Sequence, residues 1–585
     1  MILHIETALL VVIVTYAILW GLFYLTYDAR EPRAVDTLIP FIGPCFSMIR
    51  KGAKYFETQR QALGILLNPQ NSKTNIQLNS TALILLVQRN VSAISFTPIL
   101  DKVAVGLMGF SKNALDILRD DHHSLLSESA KINHKALHPG SRLREMESRA
   151  AKLIAKSLNL HVTKSAPSNV KLNEWLGGEV IKTAGGTMYG PHSPFNDSET
   201  IHTWYTIVEG FVPLLVDFLP QLTARKYVRA RERFVKTFER YYMDECHTHP
   251  DASLLVKERY DLFLQSGMTV SDIARHEVGY SIAVLINTIQ ATFWLVYHLF
   301  SDPTVLEDCR RELSGAVRTE NEARILDMAY IKASCPVFLS TFKETMRFHG
   351  INVGARIIAE DTMIDDQYVL RKGSVLLIPS AIQHNLQSVW GSDAGVFNNR
   401  RFVPEKGAKP LRHNPSTLRV FGGRPMMCPG RYFASAEILS MAALLLLRFD
   451  ITPRFGHWPI PTVEKSNPGI TFQQPDADIE VEDTLVYNSK SNVGISTIGI
   501  PYLGNAVSSL ATTRGANLTF STAITEKIVA ARKARGRYYT STVRFGWRPY
   551  LPPSHSTPDF AAELYTTGRR RRVESQSYWA ERAQA

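Results

Sequence analysis

Residues 421–431 read Phe-Gly-Gly-Arg-Pro-Met-Met-Cys-Pro-Gly-Arg, and residues 432–449 follow with the Ala, Leu and Met content of a buried helix. A thiolate at Cys428 in such a loop is placed to ligate a metal. Unpaired N–H groups and the dipole at the helix N-terminus favour the anion. Gly422, Gly423 and Gly430 let backbone N–H groups approach the sulfur, and Phe421 shields it. An ordinary buried cysteine is the competing reading, because free cysteines are among the most buried side chains. One cysteine alone does not decide between them.

Two further stretches do. Glu344-Thr-Met-Arg347 sets a carboxylate and a guanidinium three residues apart on one face of a predicted helix. Residues 397–402, Phe-Asn-Asn-Arg-Arg-Phe, then offer Arg401. Glu-x-x-Arg, an aromatic-Arg-Phe segment and Phe-(x6)-Cys-x-Gly, in that order, resemble the cytochrome P450 superfamily over about residues 35–485. The resemblance implies a mainly α fold with a smaller β region, preceded here by a membrane helix. It implies haem b with Cys428 as axial iron ligand, and Phe421 and Gly430 around it. It also implies O2, a lipophilic small-molecule substrate, and electrons from NADPH through a separate NADPH–cytochrome P450 reductase. Glu344, Arg347 and Arg401 are then a buried structural triad behind the haem.

At 585 residues the chain can bury a large core, and 45% hydrophobic against 21% charged residues describe a globular protein. The formal charge of +12 is dispersed apart from the run at 569–572, so nucleic acid is not an expected partner. An anionic membrane surface or an acidic redox partner suits it better. Five scattered cysteines argue against a disulfide framework and for a reducing compartment.

Residues 7–27 carry no charge, long enough to cross a bilayer, with Trp20, Tyr24 and Tyr27 toward the far end. Arg30, Arg33, Lys51 and Lys54 follow and no Lys or Arg precedes. This predicts a retained signal anchor in the endoplasmic reticulum membrane with the body cytosolic. Pro40 and Gly43 make the elbow after it. Sequons at Asn79, Asn90, Asn196 and Asn517 are chance matches under that topology. The expected division is an anchor over 1–34, a haem-thiolate domain over 35–485 and an extension over 486–585, either disordered or a mis-predicted coding end.

Thr269-Val-Ser-Asp272 is a capping-box pattern that opens an apolar run to Phe300. The resemblance makes this the helix over the haem. Counting back from Asp302-Pro303, the family's acid–alcohol pair falls on Ile286 and Asn287, and Thr288 follows. Asn287 and Thr288 are therefore the candidate catalytic groups. The segment is similar to the branch with steroid 7α- and 12α-hydroxylases and prostacyclin synthase. Residues 210–242 correspond to the roof of the substrate pocket.

Arg356 aligns with the family's strand arginine that contacts a haem propionate. The family's arginine two before the cysteine is Met426 here, leaving Arg424 or Arg419 for that contact. Where the family has Trp-x-x-x-Arg, residues 130–143 offer Lys131, His134 or Lys135, or only a solvated basic face. Asn399 and Arg400 replace the usual Pro and Glu. The reading is a monooxygenase acting on a steroid-, terpenoid- or polyketide-like substrate, a fungal-type secondary-metabolism member. The alternatives are an isomerase or dehydratase needing no reductase, and a non-catalytic haem-binding relative.

Overall fold

A computed structural model describes residues 2–26, 30–31, 65–68, 73–77, 80–90, 92–120, 122–162, 168–216, 219–320, 323–404, 416–423, 426–464, 466, 470–485 and 495–499. All belong to the first of the two units into which the chain divides, Met1–Gly515 and Ala516–Ala585. Arg424, the Pro40–Gly43 elbow and the sequons at Asn79 and Asn517 lie outside the described residues.

Helix Val270–Phe300 organises the rest. Thr269 accepts the Asp272 N–H at 3.1 Å and donates its hydroxyl to the Asp272 carboxylate at 2.7 Å. The helix has 31 residues, about 46 Å at 1.5 Å per residue. It is apolar and long enough to cross a membrane, yet 78% of its most apolar window is buried inside the protein. Its first half packs against Phe234, Phe238 and Val180. Its second half packs against Phe338, Phe342 and the Leu444–Leu446 run.

The helix after the cysteine spans Arg431–Arg448 and is buried along most of its length. Arg310 ends it, giving Nε to the Leu446 carbonyl at 2.9 Å and Nη2 to the Phe449 carbonyl at 2.7 Å. Carbonyls left open at a helix C-terminus are satisfied this way. Helix Pro336–His349 carries Glu344 and Arg347. Pro336 opens it, and the Glu312 carboxylate accepts the N–H groups of Val337 and Phe338 at 3.0 Å each. An anion at that end is favoured by the free N–H groups and the dipole.

The largest sheet has the order Ile65–Asn68, Lys73–Gln77, Val375–Pro379, Val353–Ile358, Ile94–Ser95. Leu376 lies opposite Arg356, which fixes the register of that arginine. Asp365 and Asp366 at φ 58° and 54° turn the hairpin between strands Thr362–Ile364 and Tyr368–Leu370. Strand Ile495–Gly499 runs parallel to Ala323–Asp327 in a second sheet. It lies past residue 485, the expected end of the haem-thiolate domain. Its β-branched Ile-Ser-Thr-Ile composition suits a strand.

Helix Ile2–Thr26 has 25 residues, with Leu9, Leu10, Val11, Val12 and Ile13 exposed. Asn90 Nδ2 donates to Thr362 at 3.2 Å and Asn196 Nδ2 to the Pro191 carbonyl at 2.8 Å, so both sequon amides are used within the fold.

Candidate active site

The cysteine loop is a short hairpin in which Gly422 lies opposite Met427 and Gly423 opposite Met426. The Cys428 N–H donates to the Phe421 carbonyl at 2.9 Å. Gly422 sits at φ 79°, a conformation L side chains rarely adopt. Gly430 has an ordinary φ, and a Cβ there would lie 3.9 Å from the sulfur, normal van der Waals contact. Its backbone N–H rather than its missing side chain is what the sulfur uses.

Cys428 itself is exposed. Protein surrounds it closely enough that desolvation nevertheless pushes its thiol up, while the N–H of Gly430, the charge of Arg431 and the N–H of Arg431 pull it down. The helix end favours the anion, and desolvation outweighs it. A coordinated cation deprotonates a thiol outright. Arg431 donates to the Cys428 carbonyl at 2.9 Å and lies over the Tyr432 ring.

Two guanidiniums stand beside the loop. Arg356 is half-buried, donates to the Ala355 carbonyl at 2.7 Å and lies over Phe96. Arg419 is 4% exposed, and its Nη1 has no hydrogen-bond partner among the described residues. Burial, then the charge of Arg356, lowers Arg419 to about 10. Burial lowers Arg356 as well. No carboxylate pairs with either among the described residues. Neighbouring buried cations without a counter-ion, beside an open cysteine, fit a haem with its carboxylate side chains.

Behind the loop, Glu344 and Arg347 are fully buried. Arg347 reaches Glu344 through Nε and Nη2 at 2.8 and 2.7 Å. Arg401 joins at 3.1 Å and also grips Asp393 at 2.9 Å. The remaining Arg347 nitrogen, Nη1, donates to the His384 carbonyl at 2.6 Å. His384 Nδ1 faces the Gly350 carbonyl at 2.9 Å, so it carries the proton. Nε2 then accepts the Arg419 N–H at 2.9 Å. The triad therefore reaches the loop through one imidazole.

Along the long helix, Tyr280, Val284 and Asn287 are half-buried and Ala283 is exposed, although neighbours on other faces are buried. The i, i+3, i+4, i+7 spacing makes these one face. Burial chiefly raises the Tyr280 phenol; the Arg259 guanidinium opposes it, and the charges of Glu277 and, least, Cys428 add to it. Arg259 stacks over Tyr280 with 3.9 Å to the ring centroid and pairs with buried Glu277 at 2.6 Å. Asn287 Oδ1 accepts the Thr471 N–H at 3.0 Å. Thr288 does not join this face. It is buried, and its hydroxyl donates to the Val284 carbonyl one turn back at 2.9 Å.

The π-helical turn Val103–Met108 and helix Phe211–Val216 meet so closely that a Cβ on Gly106 would lie 2.4 Å from the Leu214 carbonyl oxygen. Arg231 donates to the Gly106 carbonyl at 2.8 Å, and its neighbour Glu232 binds Arg275 of the long helix at 2.6 Å. Val216, Leu219 and Leu222 are exposed there. Of the basic candidates on helix His122–Leu137, Lys131 pairs with Glu128 and Lys135 with Glu258. His134 stacks on His138, which lies against Tyr432.

Sequence reasoning missed Tyr280, Thr471 and the His384–Arg419 bond. Helical periodicity counted back seven from Asn287 finds Tyr280. The other two join segments 184 and 35 residues apart and leave no local signal.

A mainly helical body with an open cysteine ahead of a buried helix and a Glu-Arg-Arg triad behind it defines a haem-thiolate class of fold. The cytochrome P450 family model matches residues 122–481, and the chain belongs to that family. It is 30% identical over 492 residues to the cytochrome P450 monooxygenase nodJ of Hypoxylon pulicicidum, covering 81% of this chain and 94% of that one. It is 26% identical over 292 residues to cholesterol 7-alpha-monooxygenase of Cricetulus griseus, 47% of this chain and 56% of that one. Retinoic acid bound cyanobacterial CYP120A1 superposes with a TM-score of 0.60 at 17% identity, covering 79% of this chain and all of the other. The chain is an enzyme of the P450 monooxygenase class.

Proposed function

We propose that this chain hydroxylates a lipophilic steroid-, terpenoid- or polyketide-like substrate in secondary-metabolite biosynthesis. Electrons come from NADPH through a separate reductase, at the endoplasmic reticulum membrane, with Ile2–Thr26 as anchor. What supports the reading is an open Cys428 in a P450 chain together with the incompletely buried face Tyr280, Ala283, Val284 and Asn287 on the long helix that the family resemblance sets over the haem. That face is apolar except for a phenol and one amide, which suits an apolar skeleton with few oxygen functions. The similarity to fungal nodJ and to a cholesterol monooxygenase supports the substrate class.

Haem held by the Cys428 sulfur would supply oxygen activation, the chemistry for which thiolate ligation suits the cofactor. The remaining work falls to side chains of this chain. Cys428 supplies the sulfur, with the N–H groups of Gly430 and Arg431 toward it. Arg356 holds a propionate. Asn287, with Oδ1 taken by Thr471, presents its NH2 as a donor to an oxygen atom above the site. Thr288 takes no part. An amide at the alcohol position favours one second reading, rearrangement of an oxygenated substrate without a reductase.

The test is turnover of candidate apolar substrates with and without NADPH and reductase. Product that requires both supports hydroxylation; product without electrons establishes the rearrangement instead. Reduced protein under carbon monoxide must also show the Soret band of thiolate-ligated haem.

A further inference from the structure

Between the two arginines that the sequence leaves for a propionate, Arg424 and Arg419, the surroundings of Gly423 decide. A Cβ on Gly423 would lie 2.3 Å from Gln88 Nε2, 2.6 Å from Arg419 Nη1 and 2.8 Å from Arg419 Nη2. Two segments far apart in the chain, helix Thr81–Arg89 and the stretch before the cysteine hairpin, thus bring an amide and a guanidinium over one bare backbone position. Arg419 is nine-tenths buried and more, and its Nη1 is unpartnered among the described residues. Its backbone is not free to swing away. The N–H is held by His384 Nε2 at 2.9 Å, and its carbonyl accepts the Gly422 N–H at 2.9 Å.

A buried, immobilised guanidinium with open donors and a second cation, Arg356, close enough to repel it calls for an anion. The anion needs at least one pair of oxygens to take a guanidinium fork, which a carboxylate has. On the haem reading above, the carboxylates that reach this place are the cofactor's own propionates. We propose that Arg419, with Gln88 beside it, grips a haem propionate and does the work for which Met426 has no charge. Gly423 lies opposite Met426 in the hairpin. Directly opposed positions lie about 5 Å apart at Cβ, so a cation rooted at 426 reaches the region where the Arg419 tip now stands. The charge that position 426 lacks is supplied here from the segment preceding the other strand of the hairpin. That segment is attached through His384 to the buried triad, since Arg347 holds the His384 carbonyl.

The experiment compares the full-length protein with Arg419→Gln, Arg424→Gln and the double variant Arg419→Gln/Met426→Arg. Carbon monoxide difference spectra come first. Wild type without the thiolate band refutes the haem reading itself, a failure distinct from that of the propionate assignment. Haem loss to apomyoglobin and the melting temperatures of apoprotein and haem-loaded protein are then measured. Arg419→Gln is expected to lose haem at least about thirtyfold faster, the lower end for truncating one partner of a buried charge pair. Its haem-loaded form melts below wild type. Its apoprotein melts above wild type, because one of two repelling cations is gone. The double variant recovers most of the haem retention.

A merely structural role for Arg419 lowers both melting temperatures together and overturns the proposal. So does unchanged haem loss, or loss that follows Arg424→Gln instead. An Arg419→Gln chain that fails to fold without haem also counts against it, since neutralising an unpaired cation should ease folding of the apoprotein.

Discussion

The side-chain oxygen of Asn287 accepts the backbone N–H of Thr471 at 3.0 Å, and the Thr471 carbonyl accepts the N–H of Ile351 at 2.7 Å. One row of hydrogen bonds thereby ties the long helix to the segment 470–474 and to the chain leaving helix Pro336–His349. Trp294 adds a second tie, its Nε1 donating to the Gln473 carbonyl at 2.8 Å. An amide with its oxygen on an N–H can only donate with the end that remains.

Asn287→Asp keeps the acceptor for Thr471 and removes the donor. Its stability is expected to stay within about 1 kcal/mol of wild type, while kcat falls about a hundredfold, as when a positioned donor is lost. Thr471→Pro does the reverse, deleting the N–H while leaving the amide. It should raise KM more than it lowers kcat. Steady-state kinetics and thermal melts check both, and an unaltered KM for Thr471→Pro would show that the tether positions nothing.

Glu344→Gln leaves Arg347 and Arg401 buried without their shared anion. A loss of about 3–5 kcal/mol in urea unfolding is expected. Arg401→Ala should cost less, because its other partner Asp393 is exposed and can be solvated.

His384 is lowered to about 3 by burial and by the charges of Arg347 and Arg419, against 6.5 when unfolded. The folded form binds the proton less readily than the unfolded chain. The stability contributed by neutral His384 is whole above pH 6.5 and drains as pH falls toward 3, by about 1.4 kcal/mol per pH unit. His384→Asn is expected to be less stable at pH 7 but to show an acid slope shallower by about that amount. Denaturant titrations at pH 7, 6 and 5 measure it.

Glu437, buried on the helix after the cysteine with Thr183 as hydrogen-bond partner, is raised to about 8 by burial from 4.5. The sign is opposite: the unfolded chain ionises first, so stability declines as pH climbs from 4.5 through 8. Glu437→Gln removes that decline and should be more stable than wild type at neutral pH by roughly 1–3 kcal/mol. A variant that melts lower at pH 8 would contradict the assignment of a neutral carboxyl.

The sequence displays what repeats locally. The capping of the Asp272 N–H by Thr269, the i, i+3 pairing of Glu344 with Arg347 and the glycine at positive φ before Cys428 are each written within a few residues. The partners that settle the site are not. Asn287 carries an amide in either role, and only the fold shows that its oxygen is already engaged. Thr288 is its neighbour in sequence and faces a different way, because 100° of helical rotation separates adjacent residues. Desolvation at Cys428 depends on the whole surrounding body, which no loop motif encodes. The strand Ile495–Gly499 pairs with residues 323–327 across some 170 positions, and parallel pairing at that distance has no turn to announce it.

The Arg231 contact with the Gly106 carbonyl bears on how firmly the π-helical turn is held. With the Gly106 backbone pressed on Leu214 and the Arg275–Glu232 pair rooting the linkage in the long helix, the turn can bend only by breaking a charge-assisted bond. Replacing Arg231 should therefore let Val103–Met108 open on its own, with its amides exchanging ahead of those of the long helix.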